Sequence, residues 1–143
     1  MDSAIPTPDD RMTPGPRKLV LVLNGYQDVM EMLRLALEKA GFAAVTANVD
    51  ELRRGVGDLR GLVESHDPSV VIFDLAPPYD HSWVYLESLR TNGPLRGRPL
   101  VLTTTNERRV REFVATDEPV IEVFGKPYDI GQVIEAVRRR AEG

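Results

Sequence analysis

Five short runs of consecutive apolar residues alternate along the chain with segments of helical periodicity. The runs are KLVLVLN from residue 18, FAAVTA from 42, SVVIFDL from 69, PLVLTTT from 99 and VIEVFG from 120. Consecutive apolar, β-branched residues are typical of strands that are buried on both faces of a parallel sheet. The pattern therefore predicts five strands, each followed by a helix.

The first two intervening segments differ in how clearly they predict a helix. In the first, Gly41 stands at the position of a C-terminal cap, and one helical face collects Val29, Met32, Leu33, Ala36, Leu37 and Ala40. The second, DELRRGVGDLRGLVESH, has leucines and valines at helical spacing but also contains Gly55, Gly57 and Gly61. Each glycine costs about 1 kcal/mol relative to alanine inside a helix. We therefore expect an irregular second helix.

Three further helices are predicted near WVYLESLRT, ERRVREFVA and DIGQVIEAVRRRA. The alternation of strands and helices predicts an α/β fold with a (βα)5 order, a doubly wound five-stranded parallel sheet that carries helices on both faces. Residues 17–143 form the predicted domain. Residues 1–16, MDSAIPTPDDRMTPGP, contain four prolines and few large apolar side chains. Such a composition cannot compensate the entropy lost on ordering, so a flexible tail is predicted.

Composition excludes several classes of function. The chain has no cysteine, which removes disulfides, thiolate catalysis and cysteine-based zinc sites and favours a cytoplasmic setting. A net charge of -4 argues against a nucleic-acid binder. The basic run at residues 138–140 lies where the last helix would end, and the helix dipole accounts for it. No apolar run approaches the roughly 20 residues that span a bilayer, so we expect no membrane association.

Polar residues stand at the ends of four of the predicted strands. They are Asn24-Gly25 after the first, Asp74 in the third, the hydroxyls of residues 103–105 after the fourth, and Lys126 after the fifth. In doubly wound sheets, ligands bind at the carboxyl ends of the strands. A carboxylate, hydroxyls and an ammonium are therefore predicted to converge in one crevice.

Residues 18–141 resemble the receiver domains of two-component response regulators. VVIFDLAPPYD is similar to the strand that delivers the phospho-accepting aspartate, which implies that role for Asp74. LVLTTT is similar to the hydroxyl-bearing strand end and implies Thr104 as the signalling hydroxyl. FGKPYD is similar to the Lys-Pro motif, which implies Lys126 as the phosphate-binding lysine and a cis bond before Pro127. The resemblance also implies a flavodoxin-like sheet with strand order 2-1-3-4-5.

The chain departs from the receiver pattern directly after the first strand. Receivers carry an acidic pair there that holds Mg²⁺, whereas this chain has Asn24 and Gly25. Mg²⁺ prefers oxygen ligands and neutralises the charge of a transferred phosphoryl group. We therefore predict no dedicated metal site, no other cofactor, and at most weak Mg²⁺ binding. Asp28 and Asp80 are the candidates for a substitute ligand.

A second departure concerns the fifth strand. Receivers usually have an aromatic residue three positions before the lysine, and this chain has Val123 there. The neighbouring Phe124 is expected to face the other side of the strand, because successive strand residues point to opposite faces. The usual movement of an aromatic side chain on activation is therefore not expected here.

Three hypotheses for function follow. The first is an atypical receiver that keeps Asp74, Thr104 and Lys126 but acts by protein–protein interaction, with weak or no Mg²⁺-dependent phosphorylation. The second is a working phospho-acceptor at Asp74 that serves as a relay. The third, a small α/β enzyme, lacks support, because no Gly-rich phosphate loop and no Ser-centred nucleophile elbow is found. We therefore predict a protein that is not an enzyme.

The resemblance also implies a protein partner, which is a histidine kinase, a phosphotransfer protein or an output protein. A second copy of the chain is a further possible partner. The predicted contact surface comprises the fourth helix, the fifth strand and the fifth helix. Its charged residues are Arg108, Arg109, Arg111, Glu112 and Arg138 to Arg140. Such charges allow a specific electrostatic match with a partner.

Overall fold

A computed structural model describes residues 17–114 and 121–142 of the chain. Within them, one parallel sheet has the strand order β2-β1-β3-β4-β5, which confirms the predicted fold class and topology. The strands are β1 Leu19–Asn24, β2 Ala43–Asn48, β3 Val70–Leu75, β4 Leu100–Thr104 and β5 Ile121–Gly125. The predicted tail, residues 1–16, lies outside the described residues.

Helices cover both faces of this sheet. They are α1 Gln27–Lys39, α2 Val49–Arg53, α3 Leu59–His66, α4 Tyr79–Thr91, α5 Glu107–Phe113 and α6 Ile130–Glu142. One core cluster joins the sheet to α1 and α6, and a second joins its other face to α2, α3, α4 and α5. Among the described residues, no helix combines the length and the apolar character needed to cross a membrane.

The glycine-rich second segment is irregular, as predicted. It forms two short helices, α2 and α3, and between them Gly55 and Gly57 have φ values of +85° and +94°. Glycine adopts this left-handed region without the steric cost that a Cβ brings. The Asp58 side chain then starts α3 by accepting a hydrogen bond of 3.0 Å from the Gly61 backbone N–H, which satisfies an otherwise unpaired helix donor.

The buried face of α1 differs from the predicted one at two positions, because Met30 is buried although it was not predicted to be and Met32 is exposed. Met30, Leu33 and Leu37 are fully buried, whereas Met32 is 46% exposed, so its assignment to the buried face was wrong. At 3.6 residues per turn, Met32 lies more than a quarter turn away from the centre of the stripe that those three residues define. Gly41 has a φ of +100° after the helix, as the predicted C-terminal cap requires.

The basic run at the end of α6 is engaged within the domain. Arg139 and Arg140 each bind the Glu122 carboxylate of β5 at 2.8 Å. Arg138 pairs with Glu135 at 3.6 Å and lies over the Phe42 ring, 5.5 Å from its centroid. These contacts attach the last helix to the sheet and supply anionic partners for the run.

Candidate functional site

The crevice lies at the carboxyl ends of the strands, where Asp74 is the buried acid. The register pairs Asp74 of β3 with Thr103 of β4, and Leu23 of β1 with Phe73. Asn24, one residue after Leu23, therefore lies level with Asp74 in the neighbouring strand. Because partners in register point to the same face of a sheet, Asn24, Asp74 and Thr103 share the α1–α6 side.

Lys126 reaches this crevice from the end of β5. Its Nζ lies 2.6 Å from Asp74 Oδ1, and its backbone N–H donates to the Thr104 carbonyl at 2.7 Å. The peptide bond between Lys126 and Pro127 is cis, as the resemblance implied. The fold thus brings together the carboxylate and the ammonium that the sequence placed at separate strand ends, and charge-assisted pairs of this kind are the strong ones.

The hydroxyl that binds the carboxylate belongs to Thr103 and not to Thr104. Thr103 Oγ1 donates to Asp74 Oδ1 at 2.7 Å, whereas Thr104 Oγ1 accepts from the Asn106 backbone N–H at 3.2 Å. Thr104 is in register with Leu75, on the opposite face of the sheet from Asp74. Motif spacing selected Thr104 because spacing does not reveal strand register. The signalling role of Thr104 stays a prediction.

Asn24 presents a donor to the crevice region and not a negative charge. Its Oδ1 accepts a 2.9 Å hydrogen bond from the Tyr26 backbone N–H, which fixes the orientation of the amide. Its Nδ2 is buried and has no hydrogen-bond partner among residues 17–114 and 121–142. An unsatisfied buried donor costs about 1 to 3 kcal/mol, so this position favours an oxygen acceptor and disfavours a cation.

Gly25 lies beside the carboxylate of an exposed acidic residue, Asp50. A Cβ placed on Gly25 would lie 2.6 Å from Asp50 Oδ2. Asp50 lies in the first turn of α2, beside the end of β1, because Asn24 and Asn48 are in register. Sequence reasoning missed Asp50, although the strand-end rule applied to the second strand would have found it. The two proposed substitutes, Asp28 and Asp80, are both exposed.

These residues do not fit a dedicated magnesium site. Among the described residues, no group of three or more His, Cys, Asp or Glu side chains is arranged to hold a metal ion. Asn24 Oδ1 already accepts from a backbone N–H, and Asp74 Oδ1 carries both Thr103 and Lys126. A hard divalent cation would therefore have to bind without these two oxygens or displace their partners.

The aromatic position of β5 is apolar but not aromatic, and the two neighbouring side chains face opposite sides. Val123 packs in the cluster of α2 to α5, whereas Phe124 packs in the cluster of α1 and α6. The prediction that Phe124 points away from the face of Val123 is confirmed. No aromatic side chain of β5 therefore packs on the face of Val123.

Tyr128 provides a reporter of the charge on Asp74. Burial raises the pKa of the Tyr128 hydroxyl, and the negative charge of Asp74 raises it further. The substitution Asp74→Asn should lower the Tyr128 pKa but leave it above its ordinary value, because burial persists. An NMR titration of the tyrosine ring carbons measures this change.

Tyr85 is the internal control for this titration. Its pKa is raised by burial and is lowered in part by Arg53, with no contribution from Asp74. Its titration curve should therefore be the same in the Asp74→Asn variant and in the wild type. Equal Tyr128 titration curves in the two proteins would contradict the effect of the Asp74 charge on the Tyr128 pKa.

Comparisons with known proteins support the fold. No protein-family model and no curated protein sequence matches the chain. Among solved structures, a sensor protein from Polaromonas sp. JS666 is 23% identical, with a TM-score of 0.66, covering 89% of this chain and 98% of that one. A response regulator receiver protein from Pseudomonas putida is 24% identical, with a TM-score of 0.62 and coverage of 87% and 98%. One from Burkholderia phymatum is 20% identical, with a TM-score of 0.66 and coverage of 88% and 96%.

Proposed function

We propose that the chain is an atypical receiver domain that acts in two-component signalling by binding other proteins, with weak or no Mg²⁺-dependent phosphorylation of Asp74. The observation that carries the proposal is the buried contact of 2.6 Å between Asp74 and Lys126, together with a buried Asn24 amide in place of a carboxylate on the neighbouring strand. The similarity in fold to solved receiver structures supports the class of function.

The chemistry of phosphoryl transfer explains why the acceptor would be weak. A phosphoryl group that approaches a carboxylate brings negative charge, and enzymes and receivers alike neutralise it with positioned cations and donors. Here Lys126 already neutralises Asp74, and neither Asn24 nor Gly25 contributes a second carboxylate for a metal. Loss of such electrostatic support commonly costs about 3 kcal/mol or more in the transition state. Lys126 thus stabilises the unphosphorylated Asp74 carboxylate more than it stabilises the transition state of phosphoryl transfer.

The surface formed by α5, β5 and α6 is the proposed contact for a histidine kinase, a phosphotransfer protein, an output protein or a second copy of the chain. An open cavity of about 630 Å³ lies there, and its charged lining includes Arg111, Glu122, Asp129, Glu135 and Arg139. Mixed charges of this kind favour specificity and a fast encounter over raw affinity. We propose a cytoplasmic, non-enzymatic protein.

The test is phosphorylation by a small donor. Incubation with acetyl phosphate and Mg²⁺, followed by intact-mass measurement, should yield little or no protein that carries one phosphoryl group. The variant Asp74→Asn is the matched control, because it keeps the shape of the side chain and removes the nucleophile. A receiver domain with an intact acidic pair, treated in parallel, establishes that the donor is active.

Stoichiometric gain of one phosphoryl group that disappears in Asp74→Asn would favour the alternative of a working relay. In that case Asp50 is the first residue to substitute, since its carboxylate lies beside Gly25 and is the nearest replacement for the missing acids. Loss of labelling in Asp50→Asn would then identify the substitute group.

A further inference from the structure

The outer edge of β2 is an undefended strand edge. β2 is the first strand in the sheet order and pairs only with β1 among the described residues. Its sequence, AAVTAN, has no charged residue and no proline. Natural proteins usually protect such edges with lysines, prolines, bulges or a covering element, because unpaired N–H and C=O groups attract other strands. None of the sequence devices is present in β2.

The opposite edge, β5, is protected. Glu122 of β5 is held by Arg139 and Arg140, and Arg111 Nη2 donates to the Val123 carbonyl at 3.0 Å. Side chains from α5 and α6 thus cover part of the β5 edge and place charge on it. The contrast indicates that the open edge of β2 is a feature of that strand and not of the whole sheet.

The peptide groups of β2 alternate in direction. The Ala43 N–H donates to the Lys18 carbonyl of the β1 side at 2.9 Å. Because successive peptide groups of a strand point to alternate edges, those of Ala44 and Thr46 point away from β1. These groups are the ones that an added strand would bind.

A groove accompanies this edge. An open cavity of about 420 Å³ lies along the second half of β2, between α1 on one side and the α2–α3 segment on the other. We call it the β2 groove; its lining comprises Gln27, Met30, Thr46, Ala47, Asn48, Glu51, Leu52, Val56, Gly57, Asp58 and Leu62. Val56 is 54% exposed, so the groove wall has an accessible apolar surface.

The charges of the β2 groove have one sign. Within the described part of the chain, Glu51 and Asp58 line it, and no lysine or arginine does. A ligand that places a cation beside these carboxylates gains complementary charge, whereas an acidic ligand is repelled. The groove therefore combines a strand edge, an apolar wall and an anionic rim.

We propose that the β2 groove binds an extended, basic segment of a partner protein, which adds a sixth strand to the sheet and alternates apolar with basic side chains. In such strand addition, the main-chain hydrogen bonds supply affinity and the pockets for alternate side chains supply specificity. Because successive side chains of a strand point to opposite faces, the apolar side chains would face α1, where Met30 lines the groove, and the basic side chains would lie against the α2–α3 segment, with their aliphatic stems on Val56 and their charges beside Glu51 and Asp58. The site lies at the opposite edge of the sheet from the α5–β5–α6 surface and does not depend on Asp74.

Two other occupants fit less well. Residues 1–16 contain Asp2, Asp9 and Asp10 against a single Arg11, and their four prolines have no N–H to donate. A second copy that pairs β2 with β2 presents the uncharged strand AAVTAN and offers no cation from that strand to Glu51 or Asp58. Neither meets the charge of the groove as a basic segment does.

The experiment is a titration of the ¹⁵N-labelled full chain with a peptide of four Lys-Val repeats, followed by NMR chemical-shift changes. The expected result is saturable binding, with the largest changes at residues 44–48 and at Leu52 and Val56, and none at β5. A peptide of four Glu-Val repeats tests the charge, and one of four Lys-Pro repeats tests the need for backbone donors. Both control peptides should bind at least tenfold more weakly.

Two variants test the location. Glu51→Lys should weaken the Lys-Val peptide at least tenfold, whereas Glu64→Lys, the same charge change at an exposed position outside the groove lining, should have little effect. Thr46→Pro removes an outward N–H, and edge strands tolerate proline, so it should also weaken binding. Glu51→Lys keeps the test informative if Thr46→Pro does not fold.

Three outcomes would overturn the proposal. The first concerns the Lys-Val peptide: it either fails to bind the wild type saturably or binds the Glu51→Lys and Glu64→Lys variants equally well. The second is a change of the β2 resonances on deletion of residues 1–16, which would make the chain's own N-terminal segment the occupant. The third is that the free chain self-associates in a sedimentation experiment and that Thr46→Pro abolishes this association. A second copy of the chain would then be the occupant.

Discussion

Replacement of Lys126 by methionine is expected to lower the free energy of unfolding by about 3 to 5 kcal/mol, the range for breaking a buried ion pair by removing one partner. The side chain of Asp74 is 3% exposed and that of Lys126 is 22% exposed, so the pair is largely shielded from water. Methionine retains the length of the lysine stem but leaves the Asp74 carboxylate without its cation. Of the two partners that the structure describes for Asp74 Oδ1, Thr103 would then remain.

Urea denaturation followed by circular dichroism measures the effect. Lys39→Met is the matched control, since Lys39 is exposed in the last turn of α1 and should change stability by less than about 0.5 kcal/mol. The double variant Asp74→Asn/Lys126→Met should recover most of the loss, because the uncompensated charge is gone. A loss in Lys126→Met equal to that in Lys39→Met would show that the pair does not stabilise the fold.

The doubly restored variant, Asn24→Asp with Gly25→Asp, is expected to bind Mg²⁺ at least tenfold more tightly than the wild type, which corresponds to about 1.4 kcal/mol. The two new carboxylates join Asp74 and Asp50 at the carboxyl ends of neighbouring strands, and carboxylate oxygens are the ligands that Mg²⁺ prefers. Without metal, the variant should be less stable than the wild type, because like charges are then brought together.

The position of Asp50 sharpens this prediction. A side chain at residue 25 meets the Asp50 carboxylate at 2.6 Å from its Cβ, so one of the two groups must move. The further substitution Asp50→Ala should therefore recover stability of the doubly restored variant in the absence of metal. Its effect on Mg²⁺ affinity shows whether Asp50 acts as a ligand.

Calorimetric titration with MgCl₂ and thermal unfolding with and without Mg²⁺ give the two readouts. The control variant Thr91→Asp/Asn92→Asp adds the same charge at exposed positions at the end of α4 and should not change Mg²⁺ affinity. Wild-type binding as tight as that of the restored variant would refute our account of the site.

The crevice at the carboxyl ends of the strands and the β2 groove can be tested by separate substitutions. Substitutions at Lys126 and Asn24 act on the crevice at the carboxyl ends of the strands. Glu51→Lys and Thr46→Pro act on the β2 groove. Three strands separate β2 from β5, which Lys126 follows, so substitution of Lys126 should act independently of Glu51→Lys, because effects of distant substitutions on stability usually add. Asn24 is in register with Asn48 of the groove lining, so substitutions at Asn24 are expected to couple to the groove.

The strand order 2-1-3-4-5 was implied by the resemblance to receiver domains, whereas sequence by itself determined the order of elements, the parallel sheet and the meeting of Asp74 with Lys126. These follow from local features that are written along the chain, namely apolar runs, helical periodicity and polar residues at strand ends. The irregular second helix was also determined locally, because glycines weaken a helix wherever they stand. The exact buried face of α1 was not, because a stripe that contains Met32 and one that contains Met30 both fit the helical spacing.

Only the tertiary structure decided which hydroxyl binds Asp74 and which acid lies beside Gly25. Thr103 and Thr104 are neighbours in sequence, and the register of β3 with β4 alone places Thr103 on the face of Asp74. Asp50 reaches Gly25 because β2 pairs with β1 and α2 starts directly after it. A shift of one residue in register reverses the face of every side chain in a strand. Such contacts therefore depend on pairing between distant segments, which no single segment encodes.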